Sequence, residues 1–162
     1  MTRADAIKVG VGATALAAAA VIWLWPRGAY DPPGSYFYDL SEKKLYAAPR
    51  NAFAPEDGIG GESGDGVEAI VFKCPQCPAD RLETMYLRTH TPEYKRRHEE
   101  ARRAGTAVEG LTREWESEHT LISRVDPIAW HKASSDEAIK IGSSRGGRCP
   151  EHGLALKPCR PS

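Results

Sequence analysis

Two short stretches far apart in the chain, Cys74-Pro75-Gln76-Cys77 and Cys149-Pro150-Glu151-His152, hold three of the four cysteines, and the fourth, Cys159, lies beyond the second. A Cys-x-x-Cys turn lets two thiolates reach one metal ion while backbone N–H groups point at the sulfurs, and zinc favours four such ligands. Cys74 and Cys77 have that spacing. Cys149 and His152 repeat it with an imidazole, and the proline after each first ligand and Gly153 after His152 favour tight turns. Either His152 or Cys159 completes the set, as three cysteines plus histidine or as four cysteines. Structural zinc is therefore the implied cofactor.

The same thiols allow two other chemistries. In an oxidising compartment they can form two disulfides, by any of three pairings. A bridge from the first pair to the last would stabilise the fold by roughly 4 kcal/mol through chain entropy, against apparent contributions on the order of 10 kcal/mol for structural zinc. Alternatively, a strand running into Cys74 and Cys77 imitates a thioredoxin-like site, which would make the chain a membrane-tethered thiol oxidoreductase. No strand-helix-strand unit precedes the motif, and Cys149 and Cys159 have no task in that scheme.

The segments 72–77 and 149–153 resemble the zinc-ribbon class, in which two knuckles of the form Cys-Pro-x-Cys-Gly grip one structural zinc. Pro78 stands where glycine is usual, and His152 replaces a cysteine. The long interval between the knuckles contains a predicted helix, so the resemblance implies a ribbon-like site inside a larger domain. The soluble part, including Phe37-Tyr38-Asp39-Leu40, is also similar to uncharacterised bacterial membrane-anchored proteins, a similarity that implies no activity.

The elements that must position these ligands can be read from periodicity and punctuation. The strand-like run 67–72 predicts a strand that ends in the first cysteine turn, and 84–88 a second strand. Thr91, Pro92 and Glu93 read as an N-cap and first turn of a helix that stops at Gly105. The runs 119–125 and 128–132, parted by Asp126-Pro127, suggest a hairpin, and Ser134 or Ser135 caps a short helix over 136–141. Upstream, 36–40 and 45–48 read as another hairpin. Pro49 to Gly66, with five glycines, reads as a flexible loop. The fold class expected is α+β, a small and mainly antiparallel β domain with one or two helices.

Residues 9–25 carry no charge and are mostly apolar, ending in Trp23 and Trp25. This predicts a single-pass transmembrane helix with an interfacial aromatic pair, after a short tail at 1–8. Bulky Ile22-Trp23-Leu24-Trp25-Pro26 stands where a signal peptidase would need small residues, so an uncleaved anchor is the expectation. A Pro/Gly-rich linker at 26–35 leads to the soluble domain at 36–162. The basic flanks are nearly balanced, and the short tail with Arg3 and Lys8 favours an extracytoplasmic domain.

Partners follow from the same residues: membrane lipid around the N-terminal helix and an unidentified protein. The 22 basic and 22 acidic residues cancel, and Lys95-Arg96-Arg97 is interleaved with Glu93, Glu99 and Glu100, so nucleic acid is not expected. His90, His98, His119 and His131 share no ligand spacing. Glu114, Glu116, Glu118 and Asp126 read as solvated charge, and no catalytic residue is predicted.

Overall fold

In the computed structural model, residues 34–106, 112–143 and 146–161 are described. The strands are β1 (Ser35–Asp39), β2 (Lys44–Ala48), β3 (Gly66–Lys73), β4 (Leu82–His90), β5 (Thr120–Ser123), β6 (His131–Lys132) and β7 (Lys157–Pro158). Three helices accompany them: α1 (Pro92–Ala104), α2 (Arg113–His119) and α3 (Asp136–Ser143). The sheet runs β2-β1-β3-β4-β5-β6, with every neighbouring pair antiparallel and β7 added beside β3. The expected α+β class is observed with three helices rather than one or two. The expected transmembrane helix at 9–25 and most of the linker lie outside the described residues. Among the described residues no helix is long and apolar enough to cross a membrane.

β3 is central because its alternation is the strongest in the chain. Val67, Ala69 and Val71 point to one face and are buried with Leu87 of β4, which lies opposite Ala69. Tyr36, Tyr38, Leu45, Val125 and Trp130 pack around them. On the opposite face Phe37 is buried with Ala48 and Ala54, and Glu68 faces Arg88 across the ladder in a 2.6 Å ion pair. Ile70 opposes Tyr86 while Val71 opposes Thr84. Met85 is thus an extra residue in β4, a bulge ahead of the first cysteine turn.

The glycine-rich segment is more organised than its composition implies. The buried Asp39 carboxylate accepts hydrogen bonds from the backbone N–H groups of Glu42, Ile59 and Gly60 and from the Ser41 hydroxyl. Asp65 accepts from Ser41 and from the Gly58 N–H, and Glu56 pairs with Gly66. With the Glu42 N–H as the largest influence, and Ser41, Gly60 and Ile59 adding to it, the Asp39 carboxyl is held at about 2. Asp39, in β1 ahead of the glycine run, and Asp65, within it, give this loop its shape.

Helix α1 begins and ends as its sequence predicts, with the Tyr94 N–H donated to the Thr91 hydroxyl and Gly105 in the left-handed region. Its charges are neutralised locally by Arg97–Glu93, Arg96–Glu100 and Arg103–Glu99 pairs at (i, i+4) spacing. His119, read as the start of a strand, instead closes α2, because the Thr112 hydroxyl caps a helical turn through the Trp115 N–H.

Neither α1 nor α2 has a fully buried residue. Their docking to the sheet is largely aromatic. His98, Phe53, His90, Tyr94, Trp115 and His119 form a continuous run of stacked rings, with successive centroids 4.0–5.3 Å apart and Arg97 over Trp115 at 4.7 Å. The Thr120 hydroxyl meets His90 Nδ1, and the Thr91 hydroxyl meets His119 Nδ1. Three histidines with unrelated sequence spacing thus share one layer as packing groups.

Burial, with Arg88 and His98 adding to it, pulls His90 from 6.5 down to about 4. Between those values the unfolded chain binds a proton that the folded chain refuses, so stability falls as pH drops through this window. His90→Phe, which keeps a ring in the stack, is expected to flatten the dependence of melting temperature on pH between 6.5 and 4. An unchanged slope in this variant would remove His90 as its source.

Candidate metal centre

The first knuckle is the tip of the β3–β4 hairpin. Cys74 follows the last residue of β3, and the Cys77 N–H returns to the Cys74 carbonyl at 3.3 Å. After Pro78 to Arg81 the chain enters β4. The segment after the motif is therefore a turn and a strand, unlike the helix start that lowers a thioredoxin-type cysteine.

The second knuckle is a small hairpin of its own. Arg148 bridges Ala155, the Cys149 N–H reaches the Leu154 carbonyl at 2.8 Å, and the Gly153 N–H reaches the Cys149 carbonyl at 2.8 Å. Gly153 has φ of 64°, the left-handed turn that its position after His152 requires.

β7 brings the knuckles together. Lys157 pairs with Lys73 and Pro158 with Phe72, so the residues just after the second knuckle lie beside those just before the first. The Cys159 N–H extends this register by bonding the Val71 carbonyl at 3.0 Å. Gly146 lies against the Phe72 ring so closely that an added Cβ would sit 2.4 Å from a ring carbon. Arg81 and Glu151, one from each knuckle, form an exposed 2.5 Å ion pair, a modest contribution at such exposure. Cys74, Cys149 and Leu156 are buried together, with Phe72 and Cys77 packed on them.

The result is a compact ligand set: Cys74, Cys77, Cys149 and His152 present atoms that all lie within 4.8 Å of one another. His152 Nδ1 is 3.6 Å from Cys74 Sγ, 3.6 Å from Cys77 Sγ and 3.5 Å from Cys149 Sγ, while Cys77 Sγ and Cys149 Sγ are 3.6 Å apart. Zinc bonds of about 2.3 Å to sulfur and about 2.0 Å to nitrogen in a tetrahedron give S···N edges of about 3.5 Å and S···S edges of about 3.8 Å. One nitrogen nearly equidistant from three sulfurs is the apex of such a figure. The cluster can hold a metal ion.

No protein-family model, curated protein or solved structure matches the chain. Its chemistry must therefore be read from the residues themselves.

All four cysteines are free thiols in the structure. The His152 backbone N–H and then its ring, with the Glu151 N–H and Cys74, stabilise a thiolate at Cys149 and pull it down to about 6. Desolvation, with Cys149 and Cys74 alongside, pushes Cys77 up to about 12. Crowded sulfurs of this kind resist ionising together unless a cation joins them. This favours a metal-ligand role over that of an isolated low-pKa nucleophile at Cys77.

Cys159 is placed elsewhere. Beyond its bond to Val71, its side chain packs against the Val67, Ala69, Val71 and Leu87 cluster, and burial pushes its thiol up. The choice left open between His152 and Cys159 thus falls on His152 for the gathered set. The Gly146 contact and the β7 pairing were not visible in the sequence; Lys157-Pro158 is too short and too polar to announce a strand.

Cys159→Ser is expected to leave metal stoichiometry unchanged, whereas Cys149→Ser should weaken binding by at least about 100-fold because it removes a thiolate from a saturated set. Competition against a chromogenic chelator measures both. Equal loss in the two variants would contradict the ligand assignment.

Proposed function

We propose that this chain is a single-pass membrane-anchored structural or interaction module whose domain is clamped by one zinc ion at Cys74, Cys77, Cys149 and His152. The observation that carries the reading is the placement of His152 Nδ1 at 3.5–3.6 Å from all three sulfurs. Three soft thiolates with one imidazole at these separations suit zinc, and four protein ligands complete a tetrahedron without leaving a position for substrate. Zinc here supplies a crosslink. Residues 9–25 support the anchor, as an uncharged apolar run ending in two tryptophans.

The full chain purified without chelator is expected to carry about one equivalent of zinc. Less than about half an equivalent would sink the zinc assignment. Stripping the ion should lower the melting temperature by more than about 10 °C, the shift that a loss of roughly 3 kcal/mol produces in a domain of this size. Acidification should weaken binding, since protons compete for each ligand.

For the membrane part, the chain should sediment with membranes and resist extraction by salt or carbonate. A compartment-sensitive reporter fused after Ser162 should report an extracytoplasmic C-terminus; a cytoplasmic signal would reverse the proposed orientation.

A further inference from the structure

We infer that the centre is a clamp with two closed forms: a hydroperoxide can oxidise Cys77 and Cys149 to a disulfide that displaces the metal while keeping the two knuckles joined. This rests on the zinc reading above and concerns how that site responds to oxidant. Cys74 and Cys149 are each 3% exposed, whereas Cys77 is half-buried. All three border an open cavity of about 360 Å³ whose walls include Phe72, Arg81 and Leu82. A molecule as small as hydrogen peroxide can approach Cys77 through it. The sulfur facing Cys77 from the other knuckle is Cys149, at 3.6 Å.

The chemistry balances in two displacements. Cys77, which a bound zinc ion would keep as a thiolate, attacks one peroxide oxygen, the O–O bond breaks, hydroxide leaves and Cys77 becomes a sulfenic acid. Cys149 thiolate then attacks the Cys77 sulfur, the S–S bond forms, the S–O bond breaks and a second hydroxide departs. Two thiolates lose two electrons, and the peroxide is reduced to two hydroxides. The sulfurs must close from 3.6 Å to a bond of about 2.05 Å. Cys74 and His152 remain as two ligands, too few for tight retention of zinc.

The identity of the pair decides the structural outcome. A Cys74–Cys77 bond would close one turn on itself and release the second knuckle. A Cys77–Cys149 bond crosses between the same two segments that the metal joins, so β7 stays beside β3. Oxidation thus exchanges one crosslink for another. Zinc and disulfide, which the cysteine count alone presents as competing fates, become successive states of one cluster.

Zinc content of the full chain is measured first; less than about half an equivalent ends the zinc reading, and this inference with it, before oxidant is added. Zinc-loaded chain is then treated with a small excess of hydrogen peroxide. Released zinc is followed with a chromogenic chelator, and the products are mapped by mass spectrometry without reductant. The expected result is zinc release in step with a Cys77–Cys149 crosslinked peptide, reversed by thiol reductant plus zinc and retained in Cys159→Ser. A dominant Cys74–Cys77 bond, a crosslink to Cys159, sulfinic acid at Cys77 without a crosslink, or retention of zinc would overturn the inference and leave the zinc reading standing.

Discussion

The centre depends on a two-residue ladder, Lys73 with Lys157 and Phe72 with Pro158, that places the end of β3 beside β7. A pairing so short gains little by itself, because ordering backbone over a long chain excursion is opposed by loop-closure entropy. It holds where other contacts share its geometry: the Cys159 N–H on the Val71 carbonyl, Gly146 against Phe72, and Leu156 buried with Cys74 and Cys149. The ligand cluster lies at this junction. A metal bound there would tie the segments at a point where the backbone pairing is only two residues long, so clamp and ladder stabilise the same arrangement.

This places a short backbone pairing, backed by the ligand cluster, at one end of the sheet. At the other end β1, β2 and the 49–66 segment hold together through ordinary means, with Phe37, Ala48 and Ala54 buried and Asp39 gathering backbone N–H groups. The helical layer has a third basis, stacked rings that are half exposed. Three kinds of cohesion therefore act on one sheet. Loss of an ion bound there would first affect the β7 end and the second knuckle, because the rest of the sheet has its own contacts.

What was legible in the sequence followed from local physics. β3 is legible as a run rich in β-branched and aromatic residues, Val67, Ile70, Val71 and Phe72, α1 because Thr91 and Gly105 mark its ends, and the first knuckle because it joins two predicted strands. What was hidden depends on chain return. The Cys149-x-x-His152 spacing offers His152 as a ligand without excluding Cys159; the difference arises because the register of β7 carries Cys159 back toward Val71 while the Cys149–Gly153 turn holds His152 over the sulfurs. Likewise His90, His98 and His119 have no common spacing, yet the β4–β5 register and the entry into α1 stack their rings in one layer. The glycine run reads as a flexible loop because the carboxylate that organises its backbone, Asp39, belongs to β1 and is distant in sequence.

The same geometry bears on why this centre suits joining better than reaction. A catalytic zinc keeps a coordination position for water or substrate; here an imidazole nitrogen already stands over three sulfurs, so a bound ion would have four protein ligands. A dithiol oxidoreductase needs an attacking thiolate stabilised in the open, and Cys77, the most exposed of the three sulfurs, has its thiol pushed up while the lowered thiol belongs to buried Cys149. Accessibility and acidity are thus separated between the two knuckles. Such a division disfavours turnover with an external disulfide, but it matters little to a metal, which draws on all four groups at once.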